Sequence, residues 1–119
     1  MSEQVSWVLE LSILPEHKDA FPAFLQDMVT ATEANEPGTL DYQWSTDADG
    51  ETCHIYERYA DSAAVLAHLA SFGENFAGRF MELFAPTRFV VYGAPSQEVI
   101  EALSPYQPKY MRSVGGFSR

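Results

Sequence analysis

Cysteine is almost missing from this chain. The single Cys53 rules out an internal disulfide, and its place in an alternating apolar pattern assigns it to packing rather than to a reactive thiol, which needs an electropositive setting. Positive charge is scarce as well: 7 lysines and arginines face 17 aspartates and glutamates, a formal charge of −10. Such a surface repels phosphate backbones and anionic lipid alike, and the few cations form no run, so nucleic acid and membrane surfaces are poor partners. No basic segment with a following apolar stretch opens the chain, and no apolar run is long enough for a bilayer, so neither a signal peptide nor a transmembrane segment is expected. Together with the lone thiol these features fit a reducing, cytoplasmic setting. The three histidines, His17, His54 and His68, do not have zinc-ligand spacing. No glycine-rich loop leads from a strand into a helix, and no Gly-x-Ser-x-Gly elbow occurs. Metal, nucleotide and serine-hydrolase chemistry therefore have no support in the sequence.

What is present is a single domain with a large apolar share. At 119 residues, 46% of them hydrophobic, the chain can bury a core unaided. Val5, Trp7, Leu9, Leu11 and Ile13 alternate with Ser6, Val8, Glu10 and Ser12, a first strand that Pro15 ends by withholding its amide hydrogen. From Glu16 to about Asn35, the positions Phe21, Phe24, Leu25, Met28 and Thr32 mark one helix face, with Pro22 tolerable only in the first turn. Pro37-Gly38 closes that helix. Leu40, Tyr42 and Trp44 then alternate with Asp41, Gln43 and Ser45, Asp47-Ala48-Asp49-Gly50 turns the chain, and Cys53, Ile55, Glu57 and Tyr59 alternate with His54, Tyr56 and Arg58. This is a hairpin.

Asp61 or Ser62 caps a second helix, whose apolar residues Val65, Leu69, Phe72, Phe76, Phe80 and Leu83 recur every three or four positions. Pro86 breaks that pattern, and Arg88 to Gly93 reads as a fourth strand. The order β-α-β-β-α-β predicts an α+β, ferredoxin-like fold: a four-stranded antiparallel sheet with two helices on one face. Residues 1–95 form this domain. Residues 96–119 hold a short capped helix, Ser96 to Leu103, and an aperiodic tail that is either frayed or an arm laid on a partner. The uncovered sheet face calls for a second copy, so a homodimer is expected.

The segments GTLDYQWSTD, CHIYERYADSAAVLAHL and FVVYG resemble the antibiotic biosynthesis monooxygenase family of dimeric α+β barrel proteins, over roughly Val5 to Gly93. The most specific piece is the strand Tyr56-Glu57-Arg58-Tyr59 followed by Ala67-His68-Leu69 on a helix. The resemblance implies a dimer formed through the sheets and a pocket between sheet and helices. In better understood members that pocket oxidises a quinol or polycyclic aromatic with dioxygen, without metal or flavin. Many members next show a Ser-Pro-His-Phe-like step; this chain has Ser71-Phe72-Gly73-Glu74-Asn75-Phe76, with Asn75 near the expected second histidine, whose role therefore has no carrier here.

Oxygenation without a cofactor needs a dry apolar cavity, a base and donors that orient an anionic substrate. His68 is the leading base, able to enter the pocket or to cap a strand end. His54 is a second candidate, or a residue paired across the sheet or exposed at a dimer surface. Glu57 is a buried pair partner or, if desolvated, a base with a raised pKa. Strand alternation sets His54, Tyr56 and Arg58 on one face and Glu57 on the other, so His54 and Glu57 do not share a pocket. Arg58 and Arg79 are placed to neutralise Glu57 or to hold an anionic substrate. Trp7, Tyr42, Trp44, Tyr56, Phe72 and Phe76, with Asn75, are candidate substrate contacts, although such aromatics also serve as core. Three functions follow: a cofactor-free monooxygenase acting on a small aromatic or quinol-like molecule and dioxygen, a non-catalytic dimer that binds a small molecule, and a haem-binding or haem-degrading protein.

Overall fold

A computed structural model describes residues 3–119. The first strand, β1 (Val5–Ile13), is followed by a 3-10 segment, Pro15–Ala20, that leads into helix α1 (Phe21–Asn35). Pro22 lies at the start of α1, where no intrahelical amide is lost. The hairpin is β2 (Thr39–Thr46) and β3 (Thr52–Tyr59). Its turn is tied by the Asp47 carboxylate, which accepts from the amides of Glu51 and Thr52, and by Gly50 at φ +69. Asp61 caps α2 (Ser62–Asn75) by accepting from the Ala64 amide at 2.9 Å. The predicted long second helix is broken: α2 ends at Asn75 and α3 (Ala77–Leu83) begins beyond Phe76, in a stretch weakened by Gly73, Asn75 and Gly78. The bend turns the α3 residues Ala77, Phe80 and Met81 onto a cavity above the sheet.

The sheet differs from the expected one. It has five strands in the order β2-β3-β1-β4-β5, with β4 (Phe84–Gly93) antiparallel to β1 and β5 (Lys109–Met111) parallel to β4. The sheet is thus mixed rather than wholly antiparallel, and among the described residues four α-helices, α4 (Gln97–Leu103) being the last, accompany it. Pro86 does not end an element but lies inside β4. The β1–β4 register shifts between Glu10 and Leu11, beside its partner Pro86, and β5 does not reach that far, so the missing amide leaves no ladder bond unmade.

Two apolar clusters fill the space between sheet and helices. One joins Leu11, Ile55 and Phe84 of the sheet to Phe24 and Met28 of α1 and Phe80 of α3. The other joins Val5, Trp7, Tyr59 and Val91 to Val65 of α2 and to Val99 and Leu103 of α4. The segment after Pro95 therefore contributes to the interior. Cys53 is fully buried, and burial pushes its thiol up to about 11, in keeping with a packing role.

Gly38 sets how closely the start of β2 approaches α2: a Cβ there would lie 2.6 Å from the Ala64 Cβ. Gly38→Ala must push the strand and helix apart and is expected to destabilise the fold by about 1–3 kcal/mol in urea unfolding. An unchanged midpoint would show that the approach has slack.

Candidate active site

Strand register places the chemistry. Trp7 of β1 and Tyr42 of β2 are the direct cross-strand neighbours of Glu57 on β3, so the three side chains stand in a row on the helix-covered face. His68 of α2 comes down over this row, its ring centroid 5.6 Å from that of Tyr42 and 5.4 Å from that of Tyr59. Its Nε2 lies 3.3 Å from Glu57 Oε1. Its Nδ1 lies 2.7 Å from Oε1 of Glu36, the residue that follows the last turn of α1. Tyr59 donates its hydroxyl to Glu57 Oε1, and Thr39 donates to Glu36 Oε1 at 3.0 Å. Two carboxylates and one imidazole thus form a continuous buried chain, with side chains only 5–7% accessible.

Burial dominates the electrostatics. It raises the Glu57 carboxyl above its ordinary 4.5, and the nearby His68 charge and the Tyr59 hydroxyl only partly offset this. For His68 burial acts downward, but the Glu36 hydrogen bond and the Glu57 and Glu36 charges outweigh it, so the imidazole is held above its ordinary 6.5. Burial, reinforced by the Glu57 charge, lifts the Tyr42 and Tyr59 hydroxyls above their ordinary range and keeps both as neutral donors.

Glu57 and His68 open onto a cavity of about 410 Å³ whose other walls are almost wholly apolar. Trp7, Leu9, Ile55 and Phe89 form the sheet side, and Met28, Leu69, Phe72, Phe80 and Met81 the helical side. Leu103, Pro105 and Tyr106 close one flank from the C-terminal segment. No lysine or arginine lines it.

Of the residues singled out from the sequence, His68, Glu57, Trp7, Tyr42 and Phe72 come together at this cavity. Trp44 and Phe76 pack against the first apolar cluster instead. His54 is on the opposite face of the sheet, as strand alternation required, where its Nε2 lies 3.6 Å from Glu10. Tyr56 is exposed on that face, and Arg58 is paired there with Asp41. Asn75 is exposed at the end of α2, and Arg79 reaches Asp27 at 3.0 Å on the helix surface while lying over the Phe24 ring. Neither arginine faces Glu57 or the cavity. Sequence reading missed Glu36 and the wall formed by Leu103, Pro105 and Tyr106.

Residues 5–76 match the family model described as antibiotic biosynthesis monooxygenase. The chain belongs to this family. Among solved structures it is similar to MupZ from Pseudomonas fluorescens, with 25% identity and a TM-score of 0.87, over 100% of this chain and 91% of that one. Rv0793 from Mycobacterium tuberculosis is 26% identical at a TM-score of 0.66, covering 79% of this chain and 97% of its own. SnoaB, a cofactor-independent oxygenase from Streptomyces nogalater, shares the fold at a TM-score of 0.65 and 16% identity, covering 81% and 97%. None of the curated proteins matches the chain. The likeness to MupZ thus extends over the C-terminal segment, which the family model leaves out.

The raised values fix a sign for the pH dependence of stability. Glu57 and His68 hold their protons more tightly folded than unfolded. The stability they contribute is complete below 4.5 and 6.5 respectively, and is lost as pH rises through their higher folded values. The unfolding free energy should therefore decline as the pH rises past 4.5 and then 6.5, and less steeply in Glu57→Gln. Parallel urea-denaturation curves for the two proteins across that range would refute the assignment.

Proposed function

We propose that this family member oxidises a small, uncharged, electron-rich aromatic or quinol-like molecule with dioxygen, using no prosthetic group. The observation that carries the reading is a buried carboxyl group, Glu57, opening onto an apolar cavity without a lysine or arginine. A cavity of about 410 Å³ suits a ligand of two or three fused rings. Because no lysine or arginine lines it and both ring nitrogens of His68 are taken up by Glu36 and Glu57, a carboxylate or phosphate ester would enter without a partner, so a neutral substrate is favoured. This reading also sets aside a role for Arg58 or Arg79 in binding an anion.

Glu57, ionised, takes a proton from the substrate's acidic O–H or C–H, while His68 and Tyr59 hold the carboxylate by its Oε1. The substrate anion then passes an electron to dioxygen, and the resulting radical and superoxide combine into a peroxide on carbon. Loss of a second substrate proton with cleavage of the O–O bond leaves one oxygen as a carbonyl and releases the other as water. The substrate loses two hydrogens and gains one oxygen; dioxygen takes up all four electrons. The chain's own contribution is proton transfer, orientation by the Tyr42 and Trp7 edges, and exclusion of water.

Pairing of two copies through the open sheet face belongs to the same reading, supported by Tyr56 and Tyr92 standing exposed there. The segment after Met111, with Val114 and Phe117 almost fully exposed, is then an arm for that partner. No described helix is long and apolar enough to cross a membrane. Haem does not fit the site: both imidazole nitrogens of His68 face carboxylates, which leaves no nitrogen free for iron.

Dioxygen uptake against a panel of neutral quinols and polycyclic phenols tests the proposal. Glu57→Gln should lower turnover about a hundredfold or more, the usual contribution of a positioned proton acceptor, whereas Arg58→Ala and Arg79→Ala should leave it within about twofold. Saturable binding without uptake would make the protein a carrier. Substrate loss without uptake would leave proton transfer as the whole reaction.

A further inference from the structure

Glu36 does not line the cavity and touches the site only through His68. Its carboxylate is nonetheless buried, at the C-terminal end of α1, where the helix dipole is negative and no basic residue occupies the last turn. A carboxylate there needs a cation, and the structure offers one. His68 Nδ1 approaches Glu36 at 2.7 Å, within the range of a charge-assisted bond, whereas Nε2 stands 3.3 Å from Glu57. The imidazole is thus bound closely to the carboxylate remote from the cavity and loosely to the one that faces it.

We infer that Glu36 is a positioning residue that keeps His68 as a fixed imidazolium, so that Glu57 alone exchanges a proton with the ligand. His68 and Tyr59 both meet Glu57 at Oε1, and Trp7 adds a further side-chain hydrogen bond, so the carboxyl group is fixed in orientation where it faces the cavity. With Glu36 ionised and His68 charged, the chain of three carries no net charge when Glu57 is protonated and a single negative charge when it is not. Both states are accessible without moving the imidazole. The groups facing His68 are the carboxylates of Glu36 and Glu57 and the hydroxyl-bearing rings of Tyr42 and Tyr59; none of these is a second cation that would compete for Glu36.

The charge assignment can be read without a substrate; its catalytic consequence rests on the function proposed above. Nitrogen-15 NMR of His68 in the ligand-free protein should show both ring nitrogens protonated at neutral pH. Glu36→Gln, which keeps an acceptor oxygen but no charge, should move the His68 titration to lower pH. Thr39→Val, which removes only the donor to Glu36, should leave His68 protonated, as a purely local structural role for Glu36 would not predict. If Glu36→Gln does not fold, Glu36→Asp keeps the charge at a shorter reach and should place the titration between wild type and neutral. Where turnover is found, Glu36→Gln should lower kcat about tenfold or more and leave KM within about twofold. A neutral His68 in the wild-type protein, or an unchanged titration in Glu36→Gln, would overturn the inference whatever the dioxygen result. An imidazolium that behaves as described in a protein that consumes no dioxygen would uphold it and remove the oxygenase reading.

Discussion

Two carboxylates and one imidazole share an interior that is otherwise apolar, and much of the local architecture answers to that fact. An isolated buried charge is costly enough that it neutralises or finds a partner. Glu57 cannot turn away, because strand alternation points it at the helix layer. Relief has to come from above, and α2 supplies it with His68. That in turn requires α2 to begin at a fixed point and to lie close to the sheet. The Asp61 cap fixes where it begins, and the absence of a side chain at Gly38 allows its approach.

Alternation also divides the sheet into two chemistries. On the covered face stand Trp7, Tyr42 and Glu57, donors and one acid in an apolar field. On the open face, Glu10 lies near both His54 and Arg88, and Arg58 pairs with Asp41, an arrangement of charges that water can reach. The cavity gains its remaining wall from outside the segment that matches the family model: α4 docks through Val99 and Leu103, and Pro105 and Tyr106 follow onto the flank. The shape of whatever enters is therefore decided partly by residues that family membership does not specify.

Period-two alternation made the first three strands, the hairpin and the two faces of β3 legible, because side-chain direction in a strand is a local property. The cap of α2 was legible to within one residue, as Asp61 or Ser62, and the structure selects Asp61. β5 was not: three residues without alternation become a strand only because β4 offers its edge. The break at Phe76 was hidden within a continuous helical periodicity. Glu36 left no signal of its own as a site residue, since its partner lies 32 positions away; an acid at a helix C-terminus with no basic neighbour was the one available hint. Arg58 and Arg79 read as partners for Glu57, yet each has a nearer acid on its own surface. Charge pairing across elements depends on tertiary distance, which periodicity does not carry.

In the proposed reaction the same charge arrangement spares the site from being rebuilt at each step. When Glu57 accepts a proton from a bound molecule, the negative charge moves from the carboxylate to the ligand, a few ångströms away, and the net charge of the enclosed region stays constant. In that reading His68, held by Glu36 at 2.7 Å, remains a cation on the same side throughout. The tyrosine hydroxyls stay protonated because burial disfavours their anions and the nearby Glu57 charge adds to that cost. A step in which only one proton moves, between fixed dipoles and a fixed cation, avoids reorganisation at the moment of reaction. A ligand that arrived already charged would break that balance. In the proposed function, selectivity for neutral molecules and proton transfer therefore have a common origin in the buried row of Glu36, His68 and Glu57.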